Sequence, residues 1–172
     1  LSNPRDRVQW VHALTADPLR LLDADALADA DAPVLQRAAQ DTLSGRADLA
    51  QPALQALLSR RGEGAPVAAH LMLSDLQLVA GDFEPARATL EAALARHPGH
   101  PELLAQLSRV LLLSDRIDAS GQVLASYPGG PDAHIALAWG DLARRQGLAG
   151  DTLSAYGQAT TLAPQDARAW QA

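Results

Sequence analysis

Three groups of side chains in this sequence have types and spacings that could do chemistry. Asp23, Asp25, Asp29 and Asp31 crowd four carboxylates into one short stretch, the hard oxygen donors that a calcium loop uses. An EF-hand loop also needs a Gly at its sixth position and a Glu at its twelfth, and this stretch has neither. It reads as a solvated helix end and loop. His97 and His100 flank Pro98-Gly99, and two imidazoles three residues apart could share a metal ion. The turn offers no third ligand, so they read as exposed turn histidines. His70 lies on an otherwise apolar stripe, where an imidazole could serve as a general base, but no complete nucleophile, base and orienting group surrounds it. A Gly-rich phosphate loop and a nucleophile elbow are both missing from the chain. The expectation is a protein that is not an enzyme, with no cofactor and no metal site.

The elements that would position such residues follow from composition. The 172 residues are rich in Ala and Leu, only 3% are aromatic, and β-branched residues are few. Strands would lack the side chains that fill a pleated surface, whereas helices are well supplied. All 14 basic residues are Arg, the formal net charge is -6, and no cationic cluster of the kind that draws phosphate stands out. A nucleic-acid partner is not expected. The absence of Cys excludes disulfides, thiolate catalysis and cysteine-based zinc sites. It leaves a periplasmic and a cytoplasmic home equally open. The chain starts at Leu1 and shows neither a signal peptide nor an apolar run near the length of a membrane span, so it reads as a soluble segment of a longer, bacterial protein.

Self-comparison reveals a repeat. Gly81 and Gly147, Leu90 and Tyr156, Ala93 and Ala159, and Pro98 and Pro164 are each 66 positions apart, two units of a helical-hairpin length. A degenerate copy lies between them from Pro101, with Leu104, Leu107 and Leu111 on one stripe; Tyr127-Pro128-Gly129-Gly130 cuts its second helix short. Another copy opens near Asp31, and Asn3-Pro4 and Asp17-Pro18 each set a capping residue before a proline. These signals predict helices near 4–15, 18–29, 33–43, 48–60, 66–80, 84–96, 101–114, 118–126, 132–146 and 150–162, with another starting at 166. The connections are short. They predict one all-α solenoid over 1–172: degenerate hairpins over 1–66, clearer repeats at 67–100, 101–132 and 133–166, and the start of a further repeat at 167–172.

The pattern resembles the tetratricopeptide repeat. Leu73, Gly81, Phe83, Ala86, Leu90, Ala93 and Pro98 match that family's signature in order. The copy from Ala133 matches through Gly140, Gly147, Tyr156, Ala159 and Pro164, and Trp170 stands where a next repeat commonly has Trp. Departures occur at His70, where a large apolar residue is usual, at Asp115 in place of the turn Gly, and at Ser120 and Thr152 in place of the small Ala. The resemblance implies a right-handed superhelix whose first helices line a concave groove. It assigns to that groove Ala68, Leu71, Asp75 and Leu78; Glu102, Ala105, Arg109 and Leu112; His134, Leu137, Asp141, Arg144 and Arg145; and Arg168.

A groove of this composition suits a protein or peptide partner with an apolar anchor and a few carboxylates. The function expected from the resemblance is a protein–protein interaction scaffold. Two further settings are open: an assembly or regulatory segment of a bacterial envelope machine, since exopolysaccharide export proteins with periplasmic repeat solenoids are similar in composition, or the substrate-selecting arm of an enzyme such as a glycosyltransferase. The first of these inclines the compartment toward the periplasm.

Overall fold

The computed structural model of the chain describes residues 31–165. The expected helices at 4–15, 18–29 and from 166 lie outside the described residues, as do Asp23, Asp25, Asp29, Arg168 and Trp170. Among the described residues there are eight α-helices and no strand: α1 Ala32–Leu43, α2 Ala47–Arg61, α3 Val67–Ala80, α4 Phe83–Leu94, α5 Pro101–Leu113, α6 Ile117–Ala125, α7 Ala133–Gln146 and α8 Ala149–Leu162. A single 3-10 turn at Gly62–Gly64 follows α2. The all-helical class and the pairing into hairpins are as the sequence predicts, with ends shifted by one or two residues.

The hairpins share one turn. Each first helix ends in a residue with left-handed backbone: Gly45 (φ 71), Gly81 (φ 84), Asp115 (φ 61) and Gly147 (φ 77). In every case the next residue's N–H reaches back to a carbonyl of the preceding helix: Arg46 to Asp41 at 2.7 Å, Asp82 to Gln77 at 2.8 Å, Arg116 to Leu111 at 2.8 Å and Leu148 to Ala143 at 2.9 Å. This is the Schellman arrangement, which satisfies carbonyls that a helix end leaves bare. Three of the four positions are Gly, which meets no steric penalty there. At Asp115 a short polar side chain tolerates the same conformation, and its carboxylate forms an ion pair with Arg145. The second helices then begin with Asp48, Glu84, Asp118 and Asp151 in their first turns, acids placed where the helix N-terminus is partly positive.

Because the turn is fixed, residues at equal distances from it meet across each hairpin. Seven residues before it lie Ala38, Ser74, Ser108 and Gly140, all small and all buried. Nine residues after it lie Leu54, Leu90, Leu124 and Tyr156, again all buried. Ser120, which departs from the family's small Ala, sits fully buried with its hydroxyl 2.7 Å from that of Ser108. Where Ala86 takes the place of Ser120, the Ser74 hydroxyl turns back to the Leu71 carbonyl at 2.8 Å. Each buried hydroxyl is satisfied, as burial requires.

The chain divides between Ala93 and Leu94 into two compact units. In the first, α1 packs on α2 and both contact α3, around fully buried Leu35, Leu54 and Leu57. Thr89 of α4 donates to the Gln77 side chain of α3 at 2.9 Å. Asp31, expected to be solvated, is instead buried and forms an ion pair with Arg61 at 2.7 Å and a longer one with Arg60 at 3.7 Å. A carboxylate removed from water demands such a partner. In the second unit α5 packs on α6, α7 packs on both, and α8 packs on α7. Leu104, Leu112, Leu124, Ile135, Ala138 and Leu142 form the apolar centre between the first three.

The last hairpin carries the largest side chain at the shared contact. Tyr156 lies over Gly140, where an added Cβ would fall 2.2 Å from the ring. The phenol continues past it and donates to Asp141 Oδ1 at 2.7 Å. Burial first, and then the Asp141 charge and hydrogen bond, raise the Tyr156 hydroxyl above its ordinary pKa.

Two outcomes follow for equilibrium urea unfolding. Gly147→Ala lowers stability by about 1 kcal/mol and Gly147→Asn by less, since Asn accepts left-handed backbone better; equal losses would refute the turn argument. Gly140→Ala drives a methyl into the Tyr156 ring and costs about 1 to 3 kcal/mol. Combining it with Tyr156→Leu, which gives the Ala/Leu pairing of Ala38 and Leu54, recovers most of the loss, and purely additive effects would show that the two positions do not meet.

Candidate functional site

In the second unit α5 leaves one stripe uncovered, and α7 leaves a stripe that matches it besides the exposed Trp139 and Gln146 on another face. Along α5 every residue is buried except Pro101, Glu102, Ala105 and Arg109. The last three follow i, i+3, i+7 spacing, so they share a face. On α7 the matching stripe is His134, Leu137, Arg144 and Arg145, none of them buried. The two helices pack side by side, which brings both stripes into one unit.

The cations on these stripes are held by their neighbours. Arg109 donates to the Gln106 side chain at 2.8 Å, Arg144 contacts Asp141 at 3.3 Å, and Arg145 pairs with Asp115 in the turn after α5. The α7 stripe starts at a firm cap: Asp132 Oδ1 accepts the N–H groups of His134 at 2.8 Å and Ile135 at 3.2 Å. That cap, an Asp just ahead of the helix, is a signal present in the sequence but missing from the expected site.

Five residues assigned to the groove are buried: Ala68, Leu71, Leu78, Leu112 and Asp141. Leu112 is drawn into the α5–α6–α7 centre, and Asp141 is turned inward by the Tyr156 hydroxyl. Leu71 and Leu78 belong to α3, where only Val67, Asp75, Val79 and Ala80 escape burial, the mark of a helix enclosed on most sides. In the first unit the assigned stripe thus retains Asp75, half-buried, while Ala68, Leu71 and Leu78 are inside. Glu102, Arg109, His134, Leu137, Arg144 and Arg145 remain at the surface of the second.

The other chemical candidates resolve differently. His70 is buried in α3, as a packed hairpin histidine. His97 and His100, expected to be exposed, are half-buried, with His97 Nε2 and His100 Nδ1 closed off from solvent and without a hydrogen bond. The reason is the packing of their turn: at Gly99 an added Cβ would lie 2.8 Å from Cγ of Pro128. Burial, the largest influence, and nearby His97 lower the His100 pKa, against the opposing pull of Glu102 and Asp132. Among the described residues no group of three or more His, Asp or Glu is placed to hold a metal ion. Nor is any helix there long and apolar enough to cross a membrane.

Two tetratricopeptide-repeat family models match the chain, one over residues 44–101 and the other over 80–138. A crystal structure of a thermophilic tetratricopeptide-repeat protein of Thermus thermophilus superimposes with a TM-score of 0.70 at 19% identity, covering 97% of this chain and 95% of that one. At that identity the likeness speaks for the fold. None of the curated proteins matches the chain in sequence. The shared left-handed turns, the small residues seven positions ahead of them and the two family matches agree: this chain carries tetratricopeptide repeats.

Proposed function

We propose that this protein is an interaction scaffold that holds a polypeptide segment along the uncovered first-helix stripes of its second unit. Tetratricopeptide repeats generally mediate protein–protein interaction, and the reading rests on one observation above others. Helix α5 is buried on every side but the stripe Glu102, Ala105 and Arg109, and α7 offers its own stripe beside it. An enclosed helix such as α5 that keeps one polar, Arg-bearing face clear is built to present that face.

The composition of the stripes selects the partner chemistry. Leu137 and Ala105 supply an apolar seat, while Arg109, Arg144 and Arg145 supply forked donors that match carboxylates. Their existing contacts with Gln106, Asp141 and Asp115 restrain the guanidinium groups before a ligand arrives, reducing the ordering cost of binding. An extended segment with acidic side chains flanking an apolar one fits best. Composition alone prompts the envelope-assembly setting, and no feature of the stripes favours it or the glycosyltransferase-arm setting.

Selection from a random peptide display library against the purified chain tests this. Selected peptides are expected to pair acidic with apolar residues and to shift the NMR signals of the α5 and α7 stripes. Arg144→Ala/Arg145→Ala should weaken them at least tenfold, equivalent to about 1.4 kcal/mol, and added salt should weaken the wild-type complex. Binding that is indifferent to both changes, or that maps to the second helices, would remove the stripes as the site.

A further inference from the structure

We propose that the joint where the His97–His100 turn meets the Tyr127–Asp132 segment is a proton-sensitive latch of the second unit, closed while the His100 imidazole is neutral and loosened when it takes up a proton. The first support is contact. Gly99 has left-handed backbone (φ 76) and lies directly against the Pro128 ring, with a Cβ there falling 2.8 Å from Cγ and 2.9 Å from Cδ. The turn therefore has no slack on that side.

The second support is the state of the imidazole nitrogens. His97 Nε2 and His100 Nδ1 are both shut off from solvent and make no hydrogen bond. A neutral imidazole can leave its bare nitrogen unbonded at modest cost, since it carries no proton there. Protonation turns that nitrogen into an N–H donor bearing positive charge, and a buried charge without a partner is far more costly. Opening the turn to water is the direct relief.

The charged groups around the joint sharpen the conflict. Glu102 of α5 and Asp132 ahead of α7 favour a proton on His100, while burial and His97 oppose it, burial being the larger effect. Asp132 is already committed, because its Oδ1 holds the N–H groups of His134 and Ile135. An imidazolium that drew Asp132 Oδ1 toward itself would compete with the cap on the first turn of α7. Acid thereby strains the joint and the start of α7 together.

The sign follows from linkage. Relative to its ordinary value of 6.5, His100 is lowered in the folded chain, so the unfolded or opened state binds the proton first. Stability of the joint is complete above about pH 6.5 and is lost as the pH falls from there through the lowered folded value.

NMR titration of the intact chain reads the proposal directly. The His100 ring is expected to titrate below 6.5. Amide protection at Asp132–Ile135, corrected for intrinsic exchange, should fall severalfold between about pH 7 and about pH 5.5. In His100→Gln, which cannot titrate, that fall should shrink. A His100 midpoint at or above 6.5 overturns the latch, as does an undiminished loss of protection in the variant; if the variant does not fold, the wild-type midpoint decides alone.

Discussion

The left-handed turn between the two helices of each hairpin is the constraint on which the rest of the structure depends. Four times the chain leaves a helix through one residue of positive φ, and four times the following N–H returns to the same carbonyl of that helix. A Schellman turn fixes both where the first helix stops and the direction in which the second departs. Once it is set, positions counted from it must face one another, and side-chain size at those positions decides how closely the helices approach. The small residues Ala38, Ser74, Ser108 and Gly140 and the large ones Leu54, Leu90, Leu124 and Tyr156 are two consequences of one turn.

The same contact is satisfied by different chemistry in different hairpins. Ser74, opposite Ala86, returns its hydroxyl to its own helix, whereas Ser108 spends it on Ser120 across the pair. In the last hairpin Gly140 removes even the methyl, and the Tyr156 ring fills the space and reaches Asp141. A solenoid tolerates such variety because each contact is local: volume is balanced within the hairpin, and these buried hydroxyls find their bonds there. The Asp at position 115 illustrates the same economy, combining a tolerated left-handed backbone with an ion pair to Arg145.

Much of this is legible in the sequence, for physical reasons. Gly81 and Gly147, 66 positions apart, announce the turn because only Gly adopts that backbone without penalty, and the apolar stripes beside them give the helices. The site is harder to read. Spacing places Leu112 and Asp141 on the stripe of Arg109 and Leu137, but packing draws Leu112 into the core and Tyr156 draws Asp141 inward. The two turn histidines depart from expectation for a similar cause: their exposure depends on Pro128, which is distant in sequence. Helical periodicity tells which residues share a face, and only tertiary contact tells whether that face is covered.

That distinction also explains why the proposed partner surface lies where it does. A helix in an array can be packed by its own partner and by a neighbouring hairpin, and each contact consumes a stripe of its circumference. On α5 these contacts leave a single stripe, too narrow to serve as another core and polar enough, with Glu102 and Arg109, to remain in water. Such a strip cannot stabilise the fold through burial, so its side chains can vary without loss of the hairpin. On the proposed reading α5 and α7 carry Arg109, Arg144 and Arg145 toward a guest on an arc that hairpin packing leaves clear. In that proposal stability and recognition occupy different arcs of the same helix, and a substitution on one arc need not disturb the other.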